Sequence, residues 1–171
     1  MINKNLILNV YKYRSLKSSL STQLLYGEKF KIIKKFGKFL KIKTVYDNYF
    51  GYIKNKKFKE NFTTTHKISS LSANLYSKPN KKFKLKNKIS FGSFIKINKK
   101  TKNFVNFDKY WVNKKDVLSI KKTNLFFSKI KIFKNVKYKW GGNSFKGIDC
   151  SALVQIFYKF NNRFCPRDTK E

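Results

Sequence analysis

A chain of 171 residues is the length of one ordinary domain or of two or three small units, and 41% apolar with 18% aromatic content excludes wholesale disorder. The formal charge of +33, from 41 Lys+Arg against 8 Asp+Glu, is at face value an electrostatic footprint for nucleic acid, anionic lipid or an acidic polymer. Only Arg14, Arg163 and Arg167 are arginines, which argues against a nucleic-acid reader; the lysines are spread evenly, and lysine, asparagine, isoleucine, phenylalanine and tyrosine all have A/T-rich codons, so drift of an AT-rich genome is favoured over a functional basic patch as the source of the charge.

Over residues 6–58 the apolar positions alternate in short runs: Phe30 and Ile32; Phe39, Leu40, Ile42 and Thr44; Tyr49, Phe50, Tyr52 and Ile53. Gly27, Gly37 and Asp47-Asn48 punctuate them, which predicts the strands of a small barrel or meander. A second set of strands is predicted at 66–71, 74–76, 93–97, 104–107 and 110–112. The two sets read as copies. Tyr26-Gly27-Glu28-Lys29-Phe30 aligns with Phe91-Gly92-Ser93-Phe94, and the run from Gly51 to Lys57 aligns with that from Lys109 to Lys115. A repeat of roughly 60 residues predicts two tandem small β-domains, 1–60 and 61–120, ahead of a third segment, 121–171.

The period changes after Lys121. Phe126, Phe127, Ile130 and Phe133 take helical spacing behind Asn124 as N-cap, and Ala152, Leu153, Ile156, Phe157 and Phe160 repeat that period more clearly. Between them Gly141, Gly142 and Gly147 make a turn that leads straight into the second helix at Cys150. There the unpaired N–H groups and positive dipole end of the first turn favour a thiolate and can hold an oxyanion. A small cysteine packed into the core at a helix start fits the same position, and the residues alone leave both readings open.

No window approaches the ~18 to 20 apolar residues of a membrane span. The stretch Leu6-Ile7-Leu8 is shorter than a secretion signal's apolar core of about 7 to 15 residues, so a cytoplasmic location is expected. Cys150, Cys165 and a sole histidine, His66, make neither a disulfide framework nor a zinc-ligand set, so no metal or other cofactor is expected.

The run Tyr138-x-Trp140-Gly141-Gly142-x-Ser144-x-x-Gly147-x-Asp149-Cys150-Ser151-Ala152-Leu153-Val154-Gln155, followed by Pro166-Arg167-Asp168-Thr169, closely resembles the nucleophile region of NlpC/P60 cell-wall cysteine peptidases. Upstream, Thr22-Gln23-Leu24-Leu25-Tyr26-Gly27-Glu28, Asp47-x-Tyr49-x-Gly51-Tyr52 and Thr65-His66-Lys67 are similar to the tandem bacterial SH3 domains that precede such peptidase domains. The resemblance implies an α+β chain: two small SH3-like β-barrels followed by the N-terminal helical part of a papain-like domain. It implies a thiol protease hydrolysing γ-D-glutamyl–diamino-acid bonds in peptidoglycan stem peptides, with a peptidoglycan-derived peptide as partner.

Within that resemblance Cys150 is the nucleophile, and Asp149, Ser151 and the position of Thr169 help hold the peptide's free amino end. Glu28 and Tyr49 map onto an acidic residue and a tyrosine that relatives add to the pocket from the first SH3 domain. Each also has an ordinary structural role open to it: Asp149 as an N-cap, Thr169 in a turn, Glu28 as a surface charge, Tyr49 in a barrel core. Trp140, Gly141 and Gly142 are expected to shape the turn. The chain departs from the family in one large respect. The family places its catalytic histidine and a third polar residue downstream of the Pro-Arg-Asp segment, whereas His66 lies in a strand of the second SH3-like domain. The chain is therefore expected to be C-terminally truncated, with the apolar face of 152–160 lacking its packing partner. Cys165 is not expected to pair with Cys150 across the helix. The alternative is a tandem SH3 protein that binds cell-wall or another anionic polymer and carries a vestigial peptidase segment.

Overall fold

A computed structural model describes residues 1–58, 62–123 and 130–168. The first β unit comprises β1 (Ile7–Tyr11), β2 (Leu20–Leu25), β3 (Phe30–Phe36), β4 (Phe39–Thr44) and β5 (Phe50–Lys54), which form one antiparallel sheet in the order β2-β1-β5-β4-β3. Alternation in β4 turns Leu40 and Ile42 inward, where they meet Val10, Leu24, Phe30 and Ile53. Gly51 lets β1 close on β5, because a Cβ there would stand 2.4 Å from Val10 Cγ1.

The second unit holds β6 (His66–Ile68), β7 (Ser72–Tyr76), β8 (Lys84–Ser90), β9 (Phe94–Ile95), β10 (Lys99–Lys100), β11 (Phe104–Phe107), β12 (Tyr110–Asn113) and β13 (Val117–Ser119). Its larger sheet runs β8-β7-β12-β11-β10, the same winding as β2-β1-β5-β4-β3 position for position, and β13-β6-β9 form a separate small sheet. The repeat read from the residues is thus present in the topology. Its two glycine turns also match, with φ of 84° at Gly27 and 77° at Gly92. The turns meet: Phe94 N donates to Tyr26 O at 2.8 Å. Strand β8 has no counterpart among the predicted strands. Its lysines hide the pattern, since only Ile89 and Ser90 of the strand are buried, and lysine is well placed on a sheet edge that must resist further pairing.

The third segment begins, among the described residues, with a 3-10 helix at Ile130–Phe133 in place of the expected α-helix; Asn124, Phe126 and Phe127 lie outside those residues. A hairpin of β14 (Asn143–Ser144) and β15 (Gly147–Ile148) then leads into α1 (Cys150–Phe160). The apolar face of α1 is not bare, which corrects the expectation. Ala152, Ile156, Phe157 and Phe160 pack on Leu25, Phe91 and Phe133, and the Phe91 and Phe160 rings stack at 4.5 Å. No helix among the described residues is long and apolar enough to cross a membrane.

Lys67 closes the far end of α1. It is fully buried, its Nζ donates to the carbonyls of Phe160 and, at 3.4 Å, Ile120, and it lies 4.2 Å over the Phe160 ring. Burial lowers its pKa from 10.5 to about 8. Between those two values the native state has released a proton that the unfolded chain still holds, so Lys67 adds stability as pH rises through that window. The expected result is that urea stability of the native chain climbs from pH 8 to 10 relative to Lys67→Met measured in parallel. Parallel curves would refute this account. Comparing the two proteins cancels Tyr26, whose burial raises its pKa in both.

Candidate active site

Two glycines set the approach to α1. Gly141 has φ 65° and sits so close to β2 that a Cβ would stand 2.6 Å from both Cβ and O of Leu20. A Cβ on Gly142 would meet Gly147 O at 2.5 Å. The turn is therefore pressed between β2 and its own hairpin, and Asp149 follows it as the N-cap of α1, with Oδ1 accepting from Ala152 N at 2.8 Å. Cys150 is the first helical residue and its side chain is exposed. Cys165, by contrast, is half-buried, and burial followed by the Asp47 carboxylate pushes its thiol pKa up.

Asp149 spends both oxygens inside the protein. Oδ2 accepts from Gly141 N at 2.9 Å and from Arg167 Nη2 at 2.6 Å, and Oδ1 also accepts from Ser151 Oγ at 3.2 Å. Arg167 is only 2% exposed; its Nη1 donates to Ser151 Oγ at 2.6 Å and its Nε to Thr22 Oγ1 at 3.0 Å. One buried guanidinium thus fixes the residues on both sides of Cys150 and neutralises Asp149. The carboxylate expected to meet a substrate ammonium is already paired, and the capping role is the one its geometry serves.

Cys150 opens onto a cleft of ≈ 890 Å³ between the first sheet and the start of α1. Its lining includes Tyr49 and Phe50 of the first β unit, Tyr138 and Trp140 from the approach to the hairpin, and Asp168. Tyr49 donates its hydroxyl proton to Asp168 Oδ2 at 3.1 Å, and burial together with that carboxylate pushes the phenol up to about 12. The structure therefore brings Tyr49, Asp149, Cys150 and Ser151 together. Thr169 lies outside the described residues.

Glu28 is not brought to the cleft. Its Oε2 accepts from Leu25 N at 2.7 Å and its Oε1 pairs with Lys159 Nζ of α1 at 2.5 Å, in surroundings that leave the residue 7% exposed. Asp168, which the sequence presents only as one residue of the Pro166-Arg167-Asp168 run, supplies the solvent-facing carboxylate instead. Trp140 is 70% exposed on the cleft wall rather than a packed element of the turn, as is Tyr138 at 65%. His66 does not line the cleft; its Nδ1 lies 2.8 Å from Thr65 Oγ1. Among the described residues no imidazole lines the cleft, and no group of three or more His, Cys, Asp or Glu could hold a metal ion.

Residues 135–171 match the NlpC/P60 family, and residues 11–58 match the bacterial dipeptidyl-peptidase Sh3 domain. Residues 135–171 are thus similar to an NlpC/P60 segment. Members of that family are cysteine peptidases, and the nucleophile-region resemblance falls on the matched residues. A solved NlpC/P60 family protein from Bacillus cereus superposes with a TM-score of 0.81 at 18% identity, over 98% of this chain and 74% of that one, which is a likeness of fold. The described residues, mostly β-sheet with one α-helix, agree with an SH3-like plus NlpC/P60 architecture. Two further matches are NlpC2 and NlpC1 from Trichomonas vaginalis, at 19% and 18% identity and TM-scores of 0.31 and 0.33, too low to carry a structural argument. They cover 96% and 97% of this chain, which spans 65% and 64% of theirs, under two thirds of their length. No curated protein matches the chain significantly in sequence.

Proposed function

We propose that the chain is the nucleophile-bearing part of a cysteine peptidase that cleaves the γ-D-glutamyl–diamino-acid bond of peptidoglycan stem peptides with a free amino end. The observation that carries this reading is the exposed Cys150 at the first position of α1, in a cleft that the hydrogen-bonded Tyr49–Asp168 pair also lines. The peptide's ammonium would pair with Asp168, with Tyr49 turning its hydroxyl toward the same carboxylate. Cys150 Sγ would attack the scissile carbonyl, the first-turn N–H groups of α1 would face the developing oxyanion, and the C–N bond would break to leave a thioester for water to hydrolyse. The thiol proton has to pass to a base and then to the leaving amine, and turnover requires an imidazole that the described cleft does not contain. The duplicated strand order supports two SH3-like barrels, 1–60 and 61–120, with the peptidase segment at 121–171.

Substrate recognition can be tested without that base. An alanyl-γ-D-glutamyl–diamino-acid peptide is expected to protect Cys150 from iodoacetamide in a saturable way, and N-acetylating the peptide should abolish the protection. Asp168→Asn should weaken it by about tenfold, the scale of one charge-assisted contact. No protection at millimolar peptide would eliminate this reading. The duplicated strand order equally suits a second one, a tandem SH3 binding protein for cell-wall or another anionic polymer with a vestigial peptidase segment. That protein would bind its polymer with an affinity falling linearly in log salt, while Cys150 stayed unprotected by the peptide.

A further inference from the structure

The run from Thr22 to Glu28 carries three polar side chains that the proposed reaction leaves without a role. All three are buried, and all three reach out of the first β unit. Thr22 Oγ1 accepts from Arg167 Nε at 3.0 Å. Gln23 Oε1 accepts from Asn143 N at 3.0 Å and Ser144 Oγ at 3.2 Å, and its backbone O accepts from Asn143 Nδ2 at 3.3 Å. Its Nε2 donates to Asn9 Oδ1 at 2.9 Å, which fixes the amide's orientation. Glu28 pairs with Lys159 in the last turn of α1.

These grips fall on three sides of the nucleophile. Asn143 and Ser144 are the strand that follows the Gly141-Gly142 turn, Lys159 belongs to the helix that begins at Cys150, and Arg167 holds the neighbours of Cys150 on either side. We infer that Thr22, Gln23 and Glu28 form a positioning clamp for the nucleophile loop, holding the segments on either side of Cys150 through contacts outside the cleft itself. Gln23 is its centre. A buried Asn143 N–H has no other acceptor if the Gln23 carbonyl is removed, and an unsatisfied buried donor drives local rearrangement of the segment that bears it. The inference rests on Cys150 being the reacting group and does not depend on which peptide is cut.

The test uses the whole chain with Cys165→Ser, so that iodoacetamide reports on Cys150 alone. Gln23→Met is expected to change the alkylation rate by about fivefold, the equivalent of one lost hydrogen bond. Gln23→Glu keeps an oxygen facing Asn143 N and should return the rate to near the native value. Leu40→Ala, in the core of the first sheet, should lower the melting temperature without moving the rate, which separates positioning from stability in general. Native-rate labelling of Gln23→Met, or an equal change in Leu40→Ala, would overturn the clamp. If Gln23→Met shows no cooperative melt, Thr22→Val, which removes only the acceptor for Arg167, carries the same two outcomes. Failure of the peptidase reading looks different: the native chain would then label normally, and the peptide would not protect it.

Discussion

Replacing Arg167 with methionine is expected to cost about 3–5 kcal/mol of folding stability, the scale for removing one member of a buried ion pair. The size follows from what remains. Asp149 would keep its N–H donors from Gly141 and Ala152 but lose the cation it pairs with among the described residues, in a position 7% exposed to water. Ser151 and Thr22 would each lose a bond at the same time. Urea unfolding gives the measurement directly. Adding Asp149→Asn should recover part of the loss, because no buried charge then lacks a partner while the cap oxygen still accepts from Ala152 N. A loss below about 1 kcal/mol would mean that water reaches the pair and that its worth is that of a surface contact.

That result bears on how far the sequence could be read. Alternation located β3, β4 and β5 of the first unit, the repeat anticipated a shared winding, and the 3.6 period located α1 with Cys150 at its start, because each of these signals is local and periodic. The carboxylates behave differently. Glu28, Asp149 and Asp168 are chemically alike, and what each does is set by a partner far along the chain: Lys159 for Glu28, 131 residues away, and Arg167 for Asp149, 18 residues away. Asp149 and Asp168 both line the cleft, but only Asp168 of the three is exposed there, and nothing in its neighbours distinguishes it beforehand. β8 was hidden for another reason. A lysine-rich edge strand buries so few residues that its period scarcely registers.

The seat of α1 was equally hidden, because its partner is Phe91, an aromatic next to a glycine turn in the second β unit. Phe91→Ala is expected to cost about 3–5 kcal/mol, the usual range for a buried phenylalanine that leaves a cavity behind. The ring is fully buried, stacks on Phe160 at 4.5 Å, and lies 5.4 Å from Phe157 and 5.7 Å from Phe133. Collapse of the cavity is restricted, since a sheet holds one side and the helix, gripped at its C-terminal end by Lys67, holds the other. Urea unfolding should remain a single transition of unchanged slope, because the helix and both β units share this packing and α1 has no independent core. A reduced slope, or a second transition at low urea, would show instead that α1 undocks while the sheets stay folded. The nucleophile's helix would then be an attached element, and the coupling between the β units and Cys150 would have to run through β2 alone.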